Sequence, residues 1–231
     1  MPGFEALYKQ TVTVFNRKIV GEKTYWYPVI IPNVHLIVDR SIIISTYGEQ
    51  AQDNAKLHIR YTPNGNGAIV AVSGGTRSYM QPKVFRASGV QGMNITFAFG
   101  DDFDFILSGE YSEEILRATA SSENFSVSIN SVDWKKSVLA ETGNYIFTYN
   151  GSVWTYGGVE VSLASYGLTV SGTVVGNDKI VVKYVSADGP IDDDDYPKGF
   201  FNHMNKAYDD VFAITNVAKF NLIPHFEIVA R

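Results

Sequence analysis

Lys56-Leu57-His58-Ile59-Arg60-Tyr61 alternates strictly, placing Leu57, Ile59 and Tyr61 on one face and polar or charged groups on the other. A period of two marks a strand with one face on a core and the other in water. Working back toward the start, Thr11-Val12-Thr13-Val14-Phe15 shows the same alternation. Tyr25-Trp26-Tyr27-Pro28-Val29-Ile30-Ile31 and Val34-His35-Leu36-Ile37-Val38 read as two more strands, with Pro28 and Pro32 holding the first at an edge or a bulge. The polar stretch Gly48, Glu49, Gln50, Ala51, Gln52, Asp53, Asn54 reads as a loop. Downstream, Asn64-Gly65-Asn66-Gly67 is a strong hairpin signal, since both residue types tolerate positive φ. A tight turn is expected at Gly100-Asp101-Asp102, between the apolar runs ending at Phe99 and beginning at Phe103. The fold class is therefore mainly β, a meander.

Composition agrees. The chain has 231 residues, 45% hydrophobic but only 19% charged, which is enough for one large core or two small ones. Twenty glycines, 14 tyrosines and 14 phenylalanines suit turns and aromatic strand packing. With no cysteine, disulfides and thiolate metal sites are excluded. A formal net charge of -5 disfavours binding nucleic acid by neutralising phosphates. Met1-Pro2-Gly3-Phe4-Glu5-Ala6 has no basic and apolar leader pattern, and no run approaches a membrane span, so synthesis in the cytoplasm and no membrane contact are expected.

From about residue 121 to 187 the texture changes to short strands rich in serine, threonine and glycine. These are Phe125-Ser126-Val127-Ser128-Ile129, Tyr145-Ile146-Phe147-Thr148-Tyr149, Leu168-Thr169-Val170-Ser171-Gly172-Thr173-Val174 and Lys179-Ile180-Val181-Val182-Lys183-Tyr184-Val185. Their short spacing suits a small sandwich. The expected organisation is a discontinuous barrel-like scaffold, 1–117 plus 189–231, interrupted by a β module at 118–188. Asp188-Gly189-Pro190-Ile191-Asp192-Asp193-Asp194-Asp195 has the composition of a solvated linker. Beyond it, Phe200, Met204, Ala207 and Val211 share one helical face, which predicts a C-terminal helix from Gly199 to Asp209 with that face buried. Two strands, Phe212 to Val217 and His225 to Val229, close the chain around a turn at Pro224.

Candidate chemistry is sparse. His35, His58, His203 and His225 stand in four different elements without a His-Glu-x-x-His pattern, so neither a metal site nor a cofactor is expected. No Gly-x-Ser-x-Gly elbow is present, and Glu110, Glu113 and Glu114 read as turn charges in preference to a glycosidase pair. The Asp192 to Asp195 run lacks the spacing and glycine of a calcium loop. No catalytic residue is assigned. Tyr149, Trp154 and Tyr156, beside glycine turns, make a candidate glycan-stacking face, with core packing as the alternative.

Two groups of segments carry a resemblance. The first comprises Tyr8-Lys9-Gln10-Thr11-Val12-Thr13-Val14-Phe15-Asn16-Arg17, Trp26-Tyr27-Pro28, Gln52-Asp53-Asn54-Ala55-Lys56-Leu57-His58-Ile59, Phe200-Phe201-Asn202-His203-Met204-Asn205 and Ile223-Pro224-His225-Phe226-Glu227-Ile228. Together they resemble a family of small structural proteins of tailed bacteriophages and prophages, over residues 8 to 62 and 198 to 230. The second, Gly143 to Trp154 and Tyr166 to Thr173, resembles a decoration module of phage virion proteins. The resemblance implies a non-enzymatic virion protein of the neck, a head-closure (stopper-like) component of the head-to-tail connection. It would form a homo-oligomeric ring, contact neighbouring neck and tail proteins, and let DNA pass without specific binding. Gly48, Glu49, Gln50, Gln52, Asp53 and Asn54 are the expected inter-subunit loop. A tail terminator or adaptor ring, and a glycan- or receptor-binding decoration protein, are the alternatives.

Overall fold

The structure is a computed structural model that describes residues 7–45, 48–88, 92–137 and 141–231, with side-chain surroundings described at all of these except 40–53 and 136. It is mainly β, 53% strand, with a closed six-stranded barrel and, among the described residues, three short α-helices. The chain falls into two units, Met1–Tyr111 with Pro190–Arg231, and Ser112–Gly189.

In chain order the first unit begins with β1 (Gln10–Val20), β2 (Lys23–Ser45), β3 (Gly48–Arg60), β4 (Thr62–Asn64), β5 (Gly67–Val72), β6 (Gly75–Tyr79), α1 (Pro82–Ala87), β7 (Asn94–Ile95) and β8 (Phe105–Ser108). The second unit holds β9 (Ile115–Ala120), β10 (Phe125–Ile129), α2 (Ser131–Ser137), β11 (Gly143–Tyr149), β12 (Trp154–Tyr156), β13 (Val159–Glu160), β14 (Leu168–Gly172) and β15 (Lys179–Val185). The chain returns to the first unit through β16 (Ile191–Asp192), α3 (Phe200–Ala207), β17 (Val211–Phe220) and β18 (His225–Ala230).

The barrel closes in the order β1-β8-β17-β18-β3-β2 and back to β1. One long strand makes closure possible. The two runs expected as separate strands at Tyr25–Ile31 and Val34–Val38 are a single 23-residue β2, whose first half pairs with β1 and whose second half pairs with β3. The handover occurs at Asn33, which adopts φ 55, and opposite a register shift between Gln10 and Val12. A left-handed residue and a bulge increase the local twist, which lets one strand serve two neighbours around a closed wall. Alternate residues then fill the interior, including Val12, Val14, Val29, Ile31, Leu36, Leu57, Ile59, Ile106, Phe212, Phe226 and Ile228.

The expected half-buried character of β1 needs correction. Thr13 and Phe15, which alternate with Val12 and Val14, are buried as well. The outer face of this part of the wall carries a second aromatic cluster: Phe15 stacks on Phe105 at 4.4 Å, and both meet Phe200 of α3. Phe200 and Met204 are fully buried, but Ala207 is exposed and Val211 belongs to β17. The helical face is thus narrower than its sequence periodicity suggests, because α3 is only eight residues long.

The aspartate run is not a solvated linker. Asp192 is buried in β16 and receives Lys23 at 2.9 Å, while Asp193 accepts from Trp26 Nε1 at 2.7 Å and from the Phe200 amide at 2.8 Å. One carboxylate therefore ties β2 to the start of α3 and satisfies an orphan helix N–H.

Asp104 is buried completely at the foot of the Gly100 turn. Its two oxygens accept from the Arg17 amide at 2.8 Å, the Ala98 amide at 2.8 Å and Asn16 Nδ2 at 3.0 Å. Burial pushes its carboxyl up to about 7, against the pull of those donors. The Asp104 amide also donates to the Ala98 carbonyl at 2.9 Å, so backbone and carboxyl together close the turn where a strand-to-strand ladder was expected. Among the described residues only Asn94–Ile95 is strand on its first side, and that strand is parallel to β6.

In the second unit, a five-stranded sheet β13-β12-β11-β15-β9 and a two-stranded sheet β10-β14 contribute to one core. Phe125, Trp134, Phe147, Leu168, Ile180 and Val182 form its centre. The unit starts at Ser112, ahead of the expected 118, because β9 pairs along β15 from Ile115↔Val185 to Ile180↔Ala120. Its first and last strands are therefore neighbours.

Candidate functional site

Three features could carry function: a two-stranded arm and the outer wall beside it in the barrel unit, and the residues singled out by sequence. The arm follows from mismatched strand lengths. β3 pairs with β18 only from Ala55 to Arg60, but with β2 from His58 all the way to Gly48. Pairs Asp39↔Asn54 through Ser45↔Gly48 therefore have no third strand among the described residues. Gly48, Glu49, Gln50, Gln52, Asp53 and Asn54, expected as a loop, are strand. The stretch lacks a hydropathy period of two, the signal by which strands are read from sequence. Asn54 is half-buried; the side chains of the other five lie outside the described residues.

At the base of the arm the outer wall carries half-buried polar side chains, with the Tyr8 ring 6.0 Å from His35. The burial of Leu36, Leu57, Phe226 and Ile228 inside forces their neighbours His35, His58 and Glu227 outward. Strand register then sets these three side by side: His35 faces His58 across β2 and β3, and His58 faces Glu227 across β3 and β18. The rings of His35 and His58 stack 5.7 Å apart, and those of His58 and His225 lie 5.5 Å apart. His225 also stacks on Phe220 at 4.8 Å, and its Nδ1 sits 2.7 Å from the Ile223 carbonyl oxygen. Burial lowers the His58 imidazole below the ordinary histidine range; Glu227 opposes this, and the neighbouring His225, His35 and Lys56 reinforce it. Glu227 pairs with Lys56 at 3.4 Å, and Arg60 lies over the Tyr8 ring. A shallow depression lined by Ile37, Asp39, Asn54, Ala55, Lys56 and Val229 continues the same surface toward the arm.

The sequence reading separated these histidines because they stand in different elements. Register unites three of them and leaves His203 apart on α3, packed on Tyr196. The available signal was the outward-facing position of each histidine next to a buried apolar residue.

The other candidates each have packing or hydrogen-bond partners. In the second unit, Tyr149 and Trp154 are cross-strand partners 5.4 Å apart, Trp154 reaches Phe125, and Tyr156 stacks on Phe147 at 5.1 Å. All three are half-buried, and Trp154 and Tyr156 pack against the module's core. Glu114 pairs with Lys135 and accepts from Tyr184 Oη at 3.1 Å; the Lys135 bond holds its carboxyl below the usual range. It acts as a strut between α2 and the sheet.

Residues 7–138 match a family of unknown function (DUF6751). The chain belongs to that family. No curated protein and no solved structure matches the chain. The stretch matched by DUF6751 contains the arm, His35 and His58, whereas His225 and Glu227 lie beyond it on β18.

Proposed function

We propose that this chain is a ring-forming structural subunit of a tailed-phage neck, a stopper-like component that closes the DNA-filled head and receives the tail. The observation that carries the reading is the arm. A two-stranded ribbon is marginal in water on its own, and each of its edges presents unpaired backbone groups to a neighbour. Its sequence includes three consecutive isoleucines, Ile42 to Ile44. Such a ribbon laid on the next subunit makes a head-to-tail contact, and repetition of that contact closes a ring.

The resemblance supports the same reading. Its two separated halves, 8–62 and 198–230, contain β1 to β3 and α3, β17 and β18, which belong to one barrel unit. The net charge of -5 suits a channel through which DNA slides, because like charge keeps phosphates from adhering. In this reading the subunit is non-catalytic, its partners are its own copies and the adjoining neck and tail proteins, and it resides in the virion neck. Terminator and adaptor rings share these requirements.

The test replaces Asp39 to Asn54 with a two-residue Asn-Gly turn. The variant is expected to keep a folded barrel and to lose assembly, measured as mass in solution and as rings by electron microscopy. In infected cells it should yield heads that leak DNA or cannot accept tails. Virions that lack the protein yet retain DNA and normal tails, and fail only in adsorption, would refute the neck role and favour a receptor-binding one.

A further inference from the structure

We propose that His58, His225 and Glu227 form a binding site for a divalent transition-metal ion of the zinc class, on the outer barrel wall beside the arm. One ligand atom from each of the three lies within 4.8 Å of the others. In a tetrahedral site with bonds of about 2.0–2.2 Å, ligand atoms stand roughly 3.3–3.6 Å apart, so modest side-chain rotations close the set. All three are half-buried, which leaves an ion a way in.

The chemistry of each donor fits. A carbonyl oxygen only accepts, so in the neutral ring the contact between His225 Nδ1 and Ile223 places the proton on Nδ1 and makes Nε2 the ligand atom. A backbone carbonyl in that place also fixes the ring, as supporting groups around bound metals do. The Phe220 stack, parallel within 7°, restrains it further. His58 is set opposite Glu227 by the pairing of β3 with β18, and its ring lies 5.5 Å from that of His225. Glu227 supplies one anionic oxygen. Its present partner Lys56 offers no obstacle of weight, since a partly exposed ion pair contributes little.

Two imidazoles and one carboxylate select against Ca²⁺ and Mg²⁺, which require more oxygen ligands. His35, stacked on His58 but outside the close triad, flanks the site. Three protein ligands leave the fourth position to solvent, the arrangement of an open metal site. The inference is independent of the ring assignment: it rests on the register of β3 with β18 and on the turn before β18.

The test is calorimetric titration of the chelator-treated full-length protein with Zn²⁺ alone. The expected result is saturable binding of about one ion per chain, with His58→Gln, His225→Gln and Glu227→Gln each weakening it by roughly 10-fold or more. His203→Gln, distant on α3, should bind as the wild type does. X-ray absorption of the loaded protein should show two imidazoles in the inner shell. Far-ultraviolet circular dichroism checks that each variant keeps its strand content. Absence of saturable binding, or binding that survives the His58→Gln, His225→Gln double substitution, would overturn the proposal.

Discussion

Asp104→Asn exchanges one oxygen of a carboxyl group whose two oxygens together hold the Arg17 amide, the Ala98 amide and Asn16 Nδ2. The amide retains one acceptor and turns an NH₂ toward a donor. Its better orientation keeps Ala98 and Asn16 and leaves the Arg17 N–H facing another donor, which costs about 1–3 kcal/mol. Protonation moves the comparison with pH. Burial raises the folded-state value from 3.8 to about 7, so between these limits the folded protein binds a proton that the unfolded chain has released. Wild-type stability is therefore highest on this account below about pH 4, falls as pH rises, and levels off above pH 7, for a loss of about 4 kcal/mol at about 1.4 kcal/mol per unit. The asparagine variant carries no such dependence. It should be less stable than wild type by about 1–3 kcal/mol at pH 4 and below, and the difference should shrink as pH rises and reverse by pH 8. Urea unfolding followed by Trp26 fluorescence reads the barrel unit when Trp134 and Trp154 of the other unit are replaced by phenylalanine. A difference between variant and wild type that is the same at pH 5 and pH 8 would refute the reasoning, because the carboxyl would then not titrate in that interval.

Met204→Asp puts a carboxylate into the fully buried contact beneath α3 and is expected to destabilise the barrel unit by several kcal/mol, on the order of an unpaired buried polar group; the same urea assay detects it, and an unchanged midpoint would contradict the packing. Excision of residues 112–189, joined by a short glycine-serine linker, should leave a soluble barrel with a cooperative melt, since Ile115 and Val185 are paired neighbours at the two ends of the inserted unit; aggregation of the remainder would show that the barrel depends on it.

Much of the architecture was legible because a strand's period of two reports burial directly. Leu57, Ile59 and Tyr61 were assigned inward from sequence, and all three are buried. The same rule misjudged β1, because Phe15 is covered by Tyr111 and by Phe200 of α3, a helix some 185 residues further along the chain, while the Thr13 hydroxyl donates to the Gly109 carbonyl and accepts from the Tyr111 amide. The Asp192 to Asp195 run was misread for the same reason: composition counts charges, whereas Asp193 is defined by its two donors, Trp26 and Phe200, brought to it by the fold. The histidine row marks the boundary of what a sequence can supply. Alternation with Leu57 and Phe226 fixes the outward face of His58, His225 and Glu227, since a slip of one residue would expose Phe226 and Ile228 to water. Alternation does not fix which rung of β18 meets which rung of β3. A slip of two residues would preserve every inward side chain and yet separate His58 from Glu227. That choice is made by closure: β18 must pair with β3 along one edge and with β17 along the other, and β17 must meet β8, before the ring is complete. The candidate metal site is thus a property of the closed barrel, and one that no local motif could announce.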